Sequence, residues 1–276
     1  MPPAAHPTPP AGFSDDFVAR VLDDALAHDT HVLGISGLQG TGKSTLAAQL
    51  VQAAASHGLR AMAVSLDDFY LDRPQRLRLA RDVHPLLATR GPPGTHDVAL
   101  ACATLDRLCA GDAVRVPAFD KLADRRLPDA QWHETSGDHL VVFEGWCLGT
   151  PAQQADALIE PLNAVERDED PDGTWRRWCN DALARDYPAL WARIDRLLFL
   201  QPPGFDVVPD WRWQQEQSLQ ARDPSRTGMT RAQVERFVQH YERVSRQALN
   251  ALPAMASLVV ALDAERRPMT SSDASR

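Results

Sequence analysis

The chain of 276 residues predicts an α/β fold: three layers, α/β/α, around a mainly parallel sheet, with a helical insertion and a lid. Two observations carry this prediction. Short apolar runs rich in β-branched residues alternate with segments of helical period, the pattern of a parallel sheet covered on both faces. In addition, Gly37 to Ser44 reads G-L-Q-G-T-G-K-S, which fits the phosphate-binding pattern G-x-x-x-x-G-K-[ST] in full. It lies between an apolar run and a helical segment, so the predicted sheet is of the P-loop NTPase kind.

The elements follow in order. Residues 1–14, M-P-P-A-A-H-P-T-P-P-A-G-F-S, are proline-rich and predicted to be disordered. One domain is expected over 15–268, opening with a helix from Asp15 to Ala27. Val32, Leu33 and Ile35 mark the first strand. Leu46, Ala47, Leu50, Val51 and Ala54 recur at helical spacing and stop near Gly58. A second strand, A-M-A-V-S-L, ends at Leu66, and a third, L-V-V-F, precedes Glu144. A helical insertion occupies about 150–192, with Glu166 to Gly173 as a polar loop before Trp175 and Trp178. The fourth strand runs from Arg196 to Leu200. A lid is expected over about 205–230, then a helix with Val234, Phe237, Val238 and Tyr241 on its core face. L-V-V-A-L ends at Leu262, and 269–276 read as a disordered tail.

Bulk properties exclude several classes of function. A net charge of −8 does not suit a broad nucleic-acid or anionic-membrane surface, which needs excess positive charge. No apolar stretch approaches the roughly 20 residues that span a bilayer, and no basic segment followed by an apolar one opens the chain, so a cytoplasmic location is expected. No obligate protein partner is implied. Cys102, Cys109, Cys147 and Cys179 show no C-x-x-C pairing and read as reduced thiols.

The distribution of cations is more informative. Of 29 Lys plus Arg residues only Lys43 and Lys121 are lysine, leaving 29 − 2 = 27 arginines. Lys43 closes the glycine loop, where a compact ammonium fits between phosphates and a planar guanidinium does not. In this arrangement Gly37, Leu38, Gln39, Gly40, Thr41, Gly42, Lys43, Ser44 and Thr45 form the nucleotide loop. Its backbone N–H groups face a phosphate chain, and Ser44 offers a hydroxyl to Mg²⁺. Ligands of such sheets gather at the carboxyl ends of the strands. There the second strand meets Asp67-Asp68-Phe69-Tyr70 and the third meets Glu144. A carboxylate so placed can take the proton of an attacking hydroxyl or hold Mg²⁺ directly or through water, although Asp is also an ordinary turn former and cap.

Further along, R-G-P-P-G-T-H-D, Arg90 to Asp97, has the composition of a stiff loop presenting side chains, with Thr95 as a candidate helix cap and Asp97 in the first turn. Lys121 lies in P-A-F-D-K-L-A-D-R-R, where an Asp120–Lys121 pair with Arg125 could clamp a small anion. Arg212, Arg222 and Arg226 fall on the predicted lid, from which an arginine can neutralise the charge of a phosphoryl group in transfer.

Together G-L-Q-G-T-G-K-S, S-L-D-D-F-Y, R-G-P-P-G-T-H-D, F-D-K, F-E-G-W-C-L-G, W-R-W-Q-Q-E and G-M-T resemble the D-glycerate 3-kinase family, including its bacterial members. That family is more distantly similar to uridine kinase, phosphoribulokinase and pantothenate kinase. The resemblance covers Gly37 to about Tyr241 and implies ATP- and Mg²⁺-dependent phosphorylation of a small hydroxy acid. It implies Asp67 as the base, Lys43 and Arg212 as balancing charges, and Ser44 with Glu144 near the metal. Acceptor contacts would come from Asp68, Tyr70, Arg90, His96, Asp97, Asp120, Lys121, Arg125 and Glu144. The family's Y-[DN]-K-S is here Phe119-Asp120-Lys121-Leu122, with two hydroxyls lost. A kinase with another small acceptor, such as a nucleoside or a pantothenate-like alcohol, and a non-catalytic ATP-binding protein are the alternatives. A regulatory GTPase is not, because no lysine remains for an N-K-x-D element.

Overall fold

The computed structural model describes residues 12–136, 140–222 and 228–269. Helix α1 (Asp15–Ala27) leads into β1 (Val32–Gly37), and α2 (Lys43–Ser56) into β2 (Ala61–Ser65). Helices α3 (Arg73–Asp82) and α4 (Val98–Cys109) precede the short strands β3 (Ala113–Val116), β4 (Phe119–Asp120), β5 (Arg125–Arg126) and β6 (His133–Ser136). Strand β7 (Leu140–Gly145) is followed by α5 (Ala164–Glu169), α6 (Thr174–Arg185) and α7 (Tyr187–Trp191). The chain continues with β8 (Arg196–Gln201), α8 (Val208–Arg222), α9 (Arg231–Met255) and β9 (Leu258–Ala261).

The main sheet has the order β2-β7-β1-β8-β9, and each of its pairings is parallel. Its members are the five strands expected from the apolar runs. The β3–β6 and β4–β5 ladders are antiparallel additions, each too short to stand out by period alone. Side chains alternate between two cores, as a strand buried on both faces requires. Leu140 and Val142 of β7 join Leu22, Leu46 and Leu50 of α1 and α2, whereas Val141 and Phe143 join Leu105, Tyr187 and Leu190 on the opposite face. A further cluster of Phe199, Val238, Ala248 and Leu252 seats α9 beside β8.

In the helical insertion, half of the expected polar loop from Glu166 to Gly173 is instead the end of α5. The carboxylates of Glu166 and Asp170 are fully buried. Arg243 of α9 donates to both oxygens of Glu166, and Asp170 accepts from the Arg176 guanidinium and from the N–H groups of Trp175 and Arg176. Burial of these charges is sustained by pairing, which a count of polar residues does not reveal. No helix among the described residues is long and apolar enough to cross a membrane.

At the N-terminus the ordered fold begins before Asp15. Phe13 donates its N–H to Gln49 Oε1 at 3.0 Å and accepts from Gln49 Nε2 at 2.7 Å, and its ring stacks on Phe17 with centroids 5.3 Å apart. Ser14 caps α1. Of the segments expected to be disordered, residues 1–11 and 270–276 lie outside the described residues, while Met269 donates to the Ala261 carbonyl at 2.8 Å.

Phe13 is therefore a structural residue. Phe13→Ala is expected to cost about 2–4 kcal/mol, lowering the melting temperature by roughly 5–10 °C. A melting temperature within about one degree of the parent would show that this segment contributes nothing to the fold.

Candidate active site

Between β1 and α2 the glycine loop wraps around its own lysine. Gly42 is the N-cap of α2 at φ 91°, ψ 14°, a left-handed conformation that glycine adopts without steric cost. Lys43 Nζ donates to the Leu38 carbonyl at 3.0 Å, and Thr41 Oγ1 donates to the same oxygen at 2.9 Å. Burial lowers the Lys43 ammonium from its usual range, partly opposed by the carboxylates of Glu144 and Asp67. Leu38 is packed in the core, Gln39 Oε1 is buried with no hydrogen-bond partner among the described residues, and Ser44 and Thr45 are exposed on the first turn of α2.

Parallel register brings two carboxylate-bearing strand ends beside this loop. Ser65 of β2 pairs with Glu144 of β7, and Gly145 with Ser36 of β1. Glu144 Oε1 consequently accepts from Ser44 Oγ at 2.8 Å and from Ser65 Oγ at 2.9 Å. A hydroxyl and a carboxylate in contact are hard oxygen donors suited to Mg²⁺, which takes one or two carboxylates and fills its octahedron with water and phosphate oxygens. The residues present fit that ion in a nucleotide complex. Among the described residues no group of three or more His, Cys, Asp and Glu converges as a resident metal centre.

Asp67 and Asp68 lie on the 3₁₀ turn after β2 and are pushed in opposite directions. Asp67 Oδ2 accepts from Lys121 Nζ at 2.6 Å and Oδ1 from Tyr70 Oη at 2.6 Å. Burial alone would raise its pKa, but the Lys121 charge and these two hydrogen bonds outweigh it and hold the carboxyl below its usual range. Lys121 is raised in turn: burial acts against the ammonium, and the charge and hydrogen bond of Asp67 prevail. Asp68 accepts the Phe119 N–H at 3.1 Å, and burial lifts its carboxyl to about 6.

The remaining expected acceptor residues divide into those facing this centre and those occupied elsewhere. Tyr70 and His96 lie against each other, with ring centroids 4.9 Å apart. Arg90 donates to Asp124 Oδ1 at 2.7 Å and sits 5.8 Å over the Phe119 ring. Asp97, rather than Thr95, caps α4, and its second oxygen accepts from Arg126 at 3.2 Å. Thr95 Oγ1 instead closes the loop, donating to the Pro92 carbonyl and accepting from the Gly91 N–H. Asp120 Oδ1 accepts from the N–H groups of Leu122 and Ala123, a local turn, so the anticipated Asp120–Lys121 pair is replaced by Asp67–Lys121 across 54 residues. Arg125 is exposed and sits opposite Asp120 in the β4–β5 ladder.

On the lid side Arg212 pairs with Glu216 at 2.9 Å and lies 5.7 Å over the Phe237 ring, a tethered position rather than an extended one. The side chain of Arg222 and the whole of Arg226 lie outside the described residues. Several contributors escape sequence reasoning. Arg266, past β9, donates to the Gly40 carbonyl at 2.8 Å and stacks over Trp211 at 4.8 Å. Ser65, Asp124, Arg126 and Tyr187 each hold a site residue through long-range contacts, which local spacing does not encode. A serine closing an apolar strand just before Asp-Asp is the one such signal present.

Parallel strands in this order, a complete phosphate loop and carboxylates at the adjoining strand ends are the arrangement of a P-loop kinase. No protein-family model matches the chain. An uncharacterized kinase of Schizosaccharomyces pombe, mug58, is 35% identical over 227 residues, covering 76% of this chain and 78% of that protein. The chloroplastic D-glycerate 3-kinase of Arabidopsis thaliana is 29% identical over 260 residues, 86% of this chain but 54% of its own length, so the chain spans about half of the plant protein. Among solved structures, D-glycerate 3-kinase of Cryptococcus neoformans superposes with a TM-score of 0.74 at 25% identity, over 92% of this chain and 98% of that one. The chain belongs with mug58 to one family of kinases and is similar to D-glycerate 3-kinases.

Asp68 yields a test of the site's electrostatics. Its carboxyl titrates near 6 in the fold against an ordinary 3.8, so the folded chain holds this proton more tightly than the unfolded one. Its stabilising contribution is present below the ordinary value and lost as pH rises through about 6. Asp68→Asn is therefore expected to melt above the parent at pH 8, by about 1–3 kcal/mol, with the advantage shrinking as pH falls toward 4. A difference in melting that is constant across this range would contradict the assignment.

Proposed function

We propose that the protein transfers the γ-phosphoryl group of ATP to an alcohol oxygen of D-glycerate. The observation that carries this reading is Asp67, a carboxylate kept ionised by Lys121 and Tyr70 beside the phosphate loop. Asp67 takes the proton as the substrate hydroxyl attacks phosphorus; the bond from phosphorus to the bridging oxygen of ADP breaks, and phosphoglycerate and ADP leave. Lys43 releases the Leu38 carbonyl and turns its ammonium to the phosphates. Ser44 and Glu144 would hold Mg²⁺, which would supply neutralisation of phosphate charge. Lys121 leaves Asp67 as the proton arrives there and meets the charge on the transferring group or on the substrate carboxylate. Arg90, with the exposed Arg125, provides the planar partner for that carboxylate. Arg212 contributes once it exchanges Glu216 for a phosphate oxygen.

A second acceptor has one observation in its favour. Phe119 and Leu122 stand where the family has a tyrosine and a serine, and Leu122 is 73% exposed. An acceptor with a larger apolar surface than glycerate would suit these side chains better.

Incubating the protein with ATP, Mg²⁺ and a panel of hydroxy acids, nucleosides and pantothenate tests both readings. Acceptor-dependent ADP release should be largest with D-glycerate; release confined to another member of the panel would replace the acceptor. With the preferred acceptor, Asp67→Asn should keep ATP affinity and lose about 10²- to 10⁴-fold in kcat. Near-parental turnover of that variant would remove Asp67 as the base.

A further inference from the structure

The loop from Arg90 to Asp97 holds a histidine whose protonation can be deduced from a chain of hydrogen bonds. Gly94 N–H donates to Tyr187 Oη at 2.9 Å, and Tyr187 Oη lies 2.6 Å from His96 Nδ1. Tyr187 is fully buried. A phenol has one proton to give. If His96 carried its proton on Nδ1, the Tyr187 oxygen would accept twice and its own hydrogen would be buried without an acceptor, which is unfavourable. Donation from Tyr187 to Nδ1 satisfies both groups. The imidazole proton then resides on Nε2, on the far side of the ring.

Nε2 is buried and has no partner among the described residues, and His96 as a whole is 5% exposed. The ring is fixed from several directions. It lies against Tyr70, and a Cβ on Gly94 would meet Trp178 at 2.1 Å, so the loop cannot back away. Tyr241 Oη donates to the Arg90 carbonyl at 2.8 Å and anchors the other end of the loop. The carboxylate whose field reaches His96 is Asp67, the proposed base. Burial pushes the imidazole down to about 4, against the pull of Asp67, so the ring is neutral at physiological pH.

We infer that His96 is a specificity-determining residue of the acceptor site, donating its Nε2–H to an oxygen of the substrate, with Tyr187 as the positioning residue that sets the tautomer. This rests on the reading of Asp67 as the alcohol's base. A neutral donor at this place selects an acceptor rich in oxygen lone pairs, a polyol or hydroxy acid. It disfavours one presenting an ammonium or an apolar group, which would leave the donor unpaired. The anion clamp that the sequence suggested is thus divided between exposed cations, Lys121 and Arg125, and a buried dipole.

The test uses the full chain labelled with ¹⁵N-histidine, together with steady-state kinetics on the acceptor that the panel selects. Long-range ¹H–¹⁵N spectra should show His96 protonated on Nε2, and that signal should move on addition of acceptor without nucleotide. His96→Leu should raise the acceptor KM about 10- to 100-fold with the ATP KM unchanged. His96→Gln, which returns an N–H near the same place, should recover most of that loss. Tyr187→Phe, which keeps the ring at position 96, should shift the tautomer signature and raise the same KM several-fold, and it stands in if His96→Leu fails to fold. A proton found on Nδ1, or an unchanged acceptor KM in Tyr187→Phe and His96→Gln together with a folded His96→Leu that matches the parent, would overturn the inference. Failure of the whole panel would instead remove the proposed function, because the tautomer is read without turnover.

Discussion

One carboxylate oxygen joins the three elements on which the site depends. Glu144 Oε1 accepts hydroxyls from Ser44 at the start of α2 and from Ser65 at the end of β2, while its own backbone belongs to β7 between β2 and β1. This junction requires the parallel register, since a one-residue slip of β7 would turn the carboxylate to the opposite face. The apolar alternation along Leu140 to Phe143 enforces that register through two separate cores. Packing far from solvent thereby decides where hard oxygen donors meet the phosphate loop.

Around this junction the chain separates two neighbouring aspartates. Asp67 has a lysine and a phenol within hydrogen-bond reach and remains ionised despite burial. Asp68 has a single backbone N–H and burial prevails. Adjacent carboxyl groups with opposite displacements can play different parts in one site, as acid–base chemistry at neutral pH often requires. The scarcity of lysine gains a physical meaning here. Lys43 and Lys121 both sit within the field of Asp67 and Glu144, where a compact point charge can change partners more readily than a forked guanidinium.

Much of this was legible in the chain. The five strands of the sheet, the glycine loop and the strand-end carboxylates are written in contiguous stretches, where period and motif operate over a few residues. What stayed hidden depends on distance or on burial of charge. Local spacing pairs Lys121 with its neighbour Asp120, but its partner is 54 residues away. Glu166 and Asp170 looked like solvent-facing loop residues because their arginine partners lie on α9 and α6. Phe13 adjoins the proline-rich segment and shares its apparent lack of pattern, although F-S-D-D-F carries a capping serine flanked by apolar residues that clasp the helix start. Arg266 touches the phosphate loop from beyond the last strand, and no local pattern announces it.

Everything the site does follows from Asp67 being an ionised carboxylate held so by Lys121. A ¹³C NMR titration of the Asp67 carboxyl, in the parent and in Lys121→Met, measures this directly. The midpoint in the parent is expected below the ordinary value of 3.8, with an upward displacement in the variant, where burial acts with less opposition. A parent midpoint well above that value, or one that ignores loss of Lys121, would contradict it.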